Sequence, residues 1–279
     1  MTKKISTALK YIFLTIVSLV SVFPLYWMLI ATTNRSVDIT RGTLTFGNYF
    51  MENFRALMAS ELNYTAAFIN SIIIAVATTA LAMVVSSAAG YAFVIYQGKG
   101  KDYVFRAILV SMMIPFAALM VPLFRLFSSF RNMPLLSFIA INTRMSVVIV
   151  AIATAFLIFF FRQNSKSFPK ELVEAARIDG LGEFSVFVRV FMPTMKSAYA
   201  AAIIVTYMTS WNQFMWPLIA LQSAELRTLP LVISALGSSY HPDFGVNMMA
   251  AFLATIPTVI IFFVMQKHFV AGMMGSVKG

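Results

Sequence analysis

ELVEAARIDGLGEFSVFVRVFMPTM, residues 171–195, carries four of the chain's ten carboxylates, on Glu171, Glu174, Asp179 and Glu183. Pro169, two residues ahead, suits a first helical turn, where its missing N–H leaves no gap in the ladder. Glu171 favours the positive end of the helix dipole. Leu172, Val173, Ala175 and Ala176 give an apolar face of mostly small residues at helical spacing. Glu174 and Arg177 stand three apart on a shared face. Gly180 is a natural stop, because glycine takes the left-handed conformation that closes a helix. A second short helix is predicted from about Glu183 to Met192, ending before Pro193. The segment therefore reads as helix, glycine turn, helix.

Its surroundings are apolar. Of 279 residues, 60% are hydrophobic and 11% charged, where a soluble domain carries about 25% charge. An all-α integral membrane protein is predicted, read as one transmembrane domain over 1–279. Six runs reach the length of roughly 20 apolar residues that a spanning helix needs: about 11–32, 66–96, 107–124, 145–161, 197–221 and 247–266. The second contains AVATTALAMVVSSAAG, residues 75–90; small residues let helix backbones approach closely in lipid, so this face is expected to pack on another helix. The first run follows Lys3, Lys4 and Lys10, as in a signal peptide, but it is long and no A-x-A pattern follows. A retained span is the better reading. With the N-terminus inside, fourteen of the 21 Lys and Arg fall on the inner side and seven on the outer. That bias predicts both termini in the cytoplasm and 162–196 as a cytoplasmic loop. The net charge of +11 is accounted for by these flanking residues, and nucleic-acid binding is not expected.

None of the six runs contains Asp, Glu, Lys, Arg or His. Proton relays and ion pathways use such groups inside spans, so a proton-coupled transporter is disfavoured. Acid–base catalysis within the membrane is disfavoured for the same reason. The chain has no G-x-x-x-x-G-K-[ST] phosphate loop, so any ATP-driven work takes its energy from a partner. There is no cysteine, hence no disulfide and no thiol chemistry, and the redox compartment is left unread. His241 and His268 fall on opposite sides of the membrane in this topology, so no metal site is expected, and no cofactor. Pro24, Pro115 and Pro257 lie mid-run, with Pro122 and Pro217 near run ends; kinks there are equally readable as moving joints or as tolerated bends. The 19 methionines are read as packing.

The charged segment now acquires a pattern. Glu174-Ala175-Ala176, three residues, Gly180, nine residues, then Val190-Phe191-Met192-Pro193 resembles the EAA loop of permease subunits in binding-protein-dependent ABC importers. The family pattern ends I-x-L-P; Val for Ile and Met for Leu are mild departures. WNQFMWPLIA at 211–220, TLPLVI at 228–233 and the ending GSVKG at 275–279 look like the maltose-type carbohydrate importers, and more narrowly like the second of their two permeases. The likeness covers nearly the whole chain. It implies a type I importer permease with six spans in a bacterial-type inner membrane, not itself an enzyme. The implied partners are a second permease, an ABC ATPase dimer, an extracytoplasmic solute-binding protein and membrane lipid.

The resemblance also implies residue roles. The loop forms a coupling helix docked in a cleft on the ATPase. Glu174 would make the polar contact, Ala175 and Ala176 would allow close approach, and Gly180 would turn the chain, with Arg177, Asp179 and Pro193 completing the segment. The tail carrying Gly275, Val277, Lys278 and Gly279 would reach between the ATPase subunits. The outer loop at 222–247 corresponds by position to one that enters the binding protein; Tyr240, His241 and Asp243 could bond sugar hydroxyls or be ordinary surface. Trp211 and Trp216 could stack on a sugar, but packing or anchoring the last turns of the fifth run near the outer surface is the better reading. No sugar ligand is assigned to this subunit, since in maltose-type systems the other permease holds most of the sugar.

Rival readings separate on the same segment. Helix-in-groove docking fits a short helix with small apolar residues and mixed charge. A helix lying on lipid shows large apolar residues against a Lys-rich face. An ABC permease for a non-sugar solute keeps the loop. A self-contained channel or facilitator has no use for it.

Overall fold

Long apolar runs without period-two alternation should wind into helices, and among the described residues of the computed structural model, 2–238 and 240–275, no strand occurs. The chain divides into two units. One takes residues up to Thr65 together with Val232–Ile256; the other takes Ala66–Leu231 and residues from Pro257 on.

In the first unit, helix α1 (Thr2–Ala31) is followed by the short α2 (Ser36–Thr40) and α3 (Phe50–Met58). The carbonyls left over at the end of a helix need donors, and here asparagines supply them. Asn34 Nδ2 donates to Ile30 O at 3.0 Å, and Asn53 Nδ2 donates to Thr32 O at 2.9 Å and Asn34 O at 3.0 Å. The spanning part of α1, Leu9–Ala31, is exposed within the chain over most of its length, as suits a helix whose apolar surface meets lipid, and only its end, Ile30 and Ala31, is buried.

The second unit holds most of α4 (Tyr64–Ile95), then α5 (Lys101–Ser111), α6 (Phe116–Ser129), α7 (Arg144–Ala151), α8 (Ala155–Ser165), α9 (Glu171–Ile178), α10 (Glu183–Val186), α11 (Met192–Thr194), α12 (Lys196–Trp211) and α13 (Met215–Ala220). Helices α14 (Leu229–Gly237) and α15 (Phe244–Gly275) complete the chain. Ala82, Ser86 and Gly90, four residues apart on α4, are all buried. Gly90 lies against the backbone of Phe161 and Arg162 on α8. This is the close approach expected of the small-residue run.

Three helices are long and apolar enough to cross a membrane unaided: Leu9–Ala31, Tyr64–Ile95 and Phe244–Gln266. Three bent pairs bring the number to six if each pair is one span. Two of the apolar runs are themselves broken at these pairs. The run 107–124 is two helices meeting at 103° across 112–115. Pro115, with φ −65° and ψ 133°, is the N-cap of α6, and proline also drives the residue before it out of helical conformation. The run 145–161 breaks at 152–154 with a 42° bend, where Thr154 caps α8 by accepting from Leu157 N. The third bent pair is Glu183–Thr194 with Lys196–Trp211, at 83°, and the run 197–221 itself breaks at 212–214 between α12 and α13. By contrast, Pro193 does not end the second short helix. Phe187–Phe191 widens into a π turn, closed by Met192 N–H on Phe187 O. Helix α11 then carries Pro193 through to Thr194, whose hydroxyl donates to Val190 O at 2.6 Å.

Trp211 and Trp216 are packing residues. Trp216 is fully buried, donates from Nε1 to Ser146 O at 2.9 Å, and meets Phe127 edge to face. Trp211 stacks on Tyr207 and receives Phe68 edge-on.

Candidate functional site

Helix α9 is amphipathic in an unexpected sense. Val173 and Ala176, three apart, are turned inward and join a core with Phe168, Val186, Phe187 and Phe191. Of the two alanines, only Ala175 faces out. The outward face carries Leu172 and Ile178, the latter 87% exposed, and Phe184 on α10 adds a third large apolar side chain at 80%. Glu171, Glu174 and Asp179, all exposed, surround them. Ile178 and Phe184 did not stand out in the sequence; their signal was a large apolar residue beside the predicted glycine turn.

The turn itself has the expected glycine. Gly180 sits at φ +81°. Its N–H donates to Arg177 O at 3.0 Å, and Leu181 N–H reaches back to Ala176 O at 3.0 Å. Those two bonds together make a Schellman motif, and Leu181 packs against the inner core. The exit from α9 is thereby fixed.

Arg177 pairs with Glu183, across the turn, and not with Glu174. Its Nε donates to Oε1 at 2.7 Å and its Nη2 to Oε2 at 3.1 Å. Tyr96, just past the end of α4, donates its hydroxyl to the same Oε2 at 2.6 Å. The Arg177 guanidinium, then the Tyr96 hydroxyl, hold the Glu183 carboxyl below its ordinary range. Because the folded value is depressed, the contribution of the pair is complete above the ordinary carboxylate value of 4.5 and is lost as pH falls below it. Both side chains are partly exposed, so the effect is modest. Glu183→Gln is expected to lower the thermal midpoint in detergent by about 1–2 °C at pH 7. That difference should shrink towards zero below pH 4.5; one that persisted unchanged would remove the carboxylate from the account.

The remaining sequence-derived residues belong to other elements. Pro193 is exposed on α11. Asp243 caps α15: its Oδ1 accepts from Gly245 N at 2.9 Å, Val246 N at 3.2 Å and Ser36 Oγ at 2.7 Å. Tyr240, 93% exposed, and the exposed His241 meet edge to face at 4.7 Å. Gly275 ends α15, and Val277, Lys278 and Gly279 lie outside the described residues. Among the described residues no cluster of His, Cys, Asp or Glu is placed to hold a metal.

Comparisons with known proteins follow the same lines. Residues 96–275 match the family described as "Binding-protein-dependent transport system inner membrane component". The "Lactose transport system permease protein LacG" of Rhizobium radiobacter is 42% identical over 276 residues, 99% of this chain and 98% of that protein. The "Arabinooligosaccharides transport system permease protein AraQ" of Bacillus subtilis is 34% identical over 279 residues, covering 96% and 94%. Among solved structures, a chain of a bacterial ABC transporter involved in the import of the acidic polysaccharide alginate superposes with a TM-score of 0.82. At 20% identity, and with 96% of this chain and 98% of that one covered, the likeness is one of fold.

Proposed function

We propose, for a chain that belongs to the binding-protein-dependent transport system inner membrane component family, that it forms half of a sugar translocation path and is driven through α9. The chain is a multi-pass permease of an ABC sugar importer, with the type I importer permease fold. In our reading a second, related permease supplies the other half of the path. A separate ATPase dimer hydrolyses the nucleotide, and an extracytoplasmic binding protein delivers the sugar. Both termini are cytoplasmic. The tail at 275–279 reaches towards the ATPase, and Tyr240 and His241 face the binding protein.

The observation that carries the coupling role is the outward face of α9. A soluble cytoplasmic surface has no reason to present Leu172, Ile178 and Phe184 together; a groove on a partner does. Glu171, Glu174 and Asp179 at the rim would meet polar or cationic groups there.

Purification of the tagged chain from its native membrane in mild detergent tests this. An ATPase and a second permease are expected to come with it. Recovery of the chain alone, folded and monodisperse, would indicate a self-contained channel. Glu174→Lys reverses a charge at the docking rim, where setting like charges against each other is strongly unfavourable. It should therefore cut uptake at least ~tenfold while the chain still reaches the membrane. Uptake at the wild-type rate would remove Glu174 from the contact.

A further inference from the structure

Helix α5 runs antiparallel alongside α8. Asp102 accepts from Arg162 Nη2 at 3.1 Å, and one turn on Phe105 stacks with Phe159 at 6.4 Å, so numbers rise on α5 as they fall on α8. Arg162 also lies over the Phe105 ring at 3.9 Å. The one carboxylate of α5 is thereby committed to α8.

The other face of α5 has a different character. Tyr103 is 75% exposed, and Val104 and Val110 are exposed with it. Arg106 is exposed on the same helix, just before the apolar run that begins at about 107. Its guanidinium lies 5.6 Å over the Tyr103 ring, turned back towards the start of the helix. Basic side chains at a membrane surface do this, laying the stem along apolar surface and the charge at the headgroups, the level that tyrosine also favours. Lys99 precedes α5, and Lys166 stands one turn beyond Arg162 on α8; both are exposed. Lys101 Nζ meets only a carbonyl, Tyr96 O at 2.9 Å. Among the described residues Lys99, Lys101, Arg106 and Lys166 make no ion pair. Glu183, which Tyr96 reaches, is already taken by Arg177.

We infer that this face of α5 binds an anionic phospholipid of the inner leaflet. The headgroup phosphate meets Arg106 and the lysines, and the acyl chains run along Val104 and Val110. The inference rests on the importer reading above, which puts the turn at 96–100 on the cytoplasmic side, and it adds the charge and the place of the lipid. A guanidinium matches phosphate oxygens, and basic residues beside a span favour anionic lipid by roughly fivefold each. A soluble subunit fits less well. Val110 lies about 14 Å along the helix from Lys101, inside the span, where a partner seated on the lysines leaves it uncovered and a lipid does not.

The test places the photocrosslinker benzoylphenylalanine at Val104 in the full complex, irradiates native membranes and identifies the adducts by mass spectrometry. Anionic phospholipid should be enriched at least about fivefold over its share of the membrane. Lys99→Gln with Arg106→Gln should return the adducts to the bulk share, and Arg106→Lys alone, which keeps the charge, should hold the enrichment. Concentrated salt, which screens exposed charges, should lower the enrichment without any change to Lys99 or Arg106, so the result does not depend on how a variant folds. Lipid adducts in the bulk proportion would overturn the headgroup preference. A crosslink to another subunit, or no adduct at all, would overturn the lipid face. Because the chain has no cysteine, Lys99→Cys reports topology separately: labelling by an impermeant maleimide from outside intact cells would overturn the orientation on which the inference rests.

Discussion

Gly180→Val will leave the protein in the membrane and abolish its sugar uptake. The space around Gly180 is open, with nothing within 4 Å of the position a Cβ would take, so no clash unfolds the chain. The cost is torsional. At φ +81° a non-glycine residue pays about 1–2 kcal/mol, and a β-branched one fits worst. The cheapest escape is to abandon the left-handed turn. That gives up the bonds from Gly180 N to Arg177 O and from Leu181 N to Ala176 O, withdraws Leu181 from the core and parts Arg177 from Glu183. Ile178 and Phe184 then no longer hold their relative positions, and a partner groove of the kind proposed above, shaped for both, would lose one. A misfit of 1.4 kcal/mol at the contact is already ~tenfold in binding. Uptake and binding-protein-stimulated ATP hydrolysis should fall together. Substitutions should rank Asn above Ala above Val, because asparagine tolerates the left-handed region. Wild-type uptake in the Val variant would show that the turn geometry does not transmit force.

The glycine was legible in the sequence because its reason is local: a helix pattern, a stop, and a residue free to take positive φ. The helix from Glu171 and the small-residue face of α4 were legible on the same terms. What periodicity cannot tell is which way a face turns. Val173, Ala175 and Ala176 share an apolar pattern, yet two of them point into the core and Ala175 points out. The partner of Arg177 was hidden because Glu183 lies six residues on, across the turn, outside helical spacing; Tyr96 meets the same carboxylate from 87 residues away, a contact no local spacing encodes. Pro115 had marked a kink at 112–115, but the breaks at 152–154 and 212–214 were hidden because hydropathy measures whether a run is apolar and is blind to backbone hydrogen bonding.

Gly90→Leu should have the largest effect on stability. A Cβ at Gly90 would lie 2.6 Å from the Phe161 Cβ and 2.8 Å from the Arg162 backbone nitrogen, and a helix backbone cannot move aside as a flexible side chain can. Inside lipid there is little hydrophobic drive to hold helices together, so close contact at small residues carries the association. The leucine must force α4 and α8 apart. Phe161 is fully buried, and its ring meets Tyr199 at 5.0 Å, in the same core that receives Val173 and Ala176 from α9. Separation therefore loosens the support of α9 as well. Overpacking of this kind costs about 3 kcal/mol or more, which for a chain of this size lowers the thermal midpoint by roughly 6–12 °C. Gly90→Ala, with a single methyl, should fall between the two. The measurement is the unfolding midpoint of each variant in the same detergent, with the amount of chain in the membrane fraction alongside. A midpoint within a degree of wild type for Gly90→Leu would mean that α4 and α8 do not pack at this glycine.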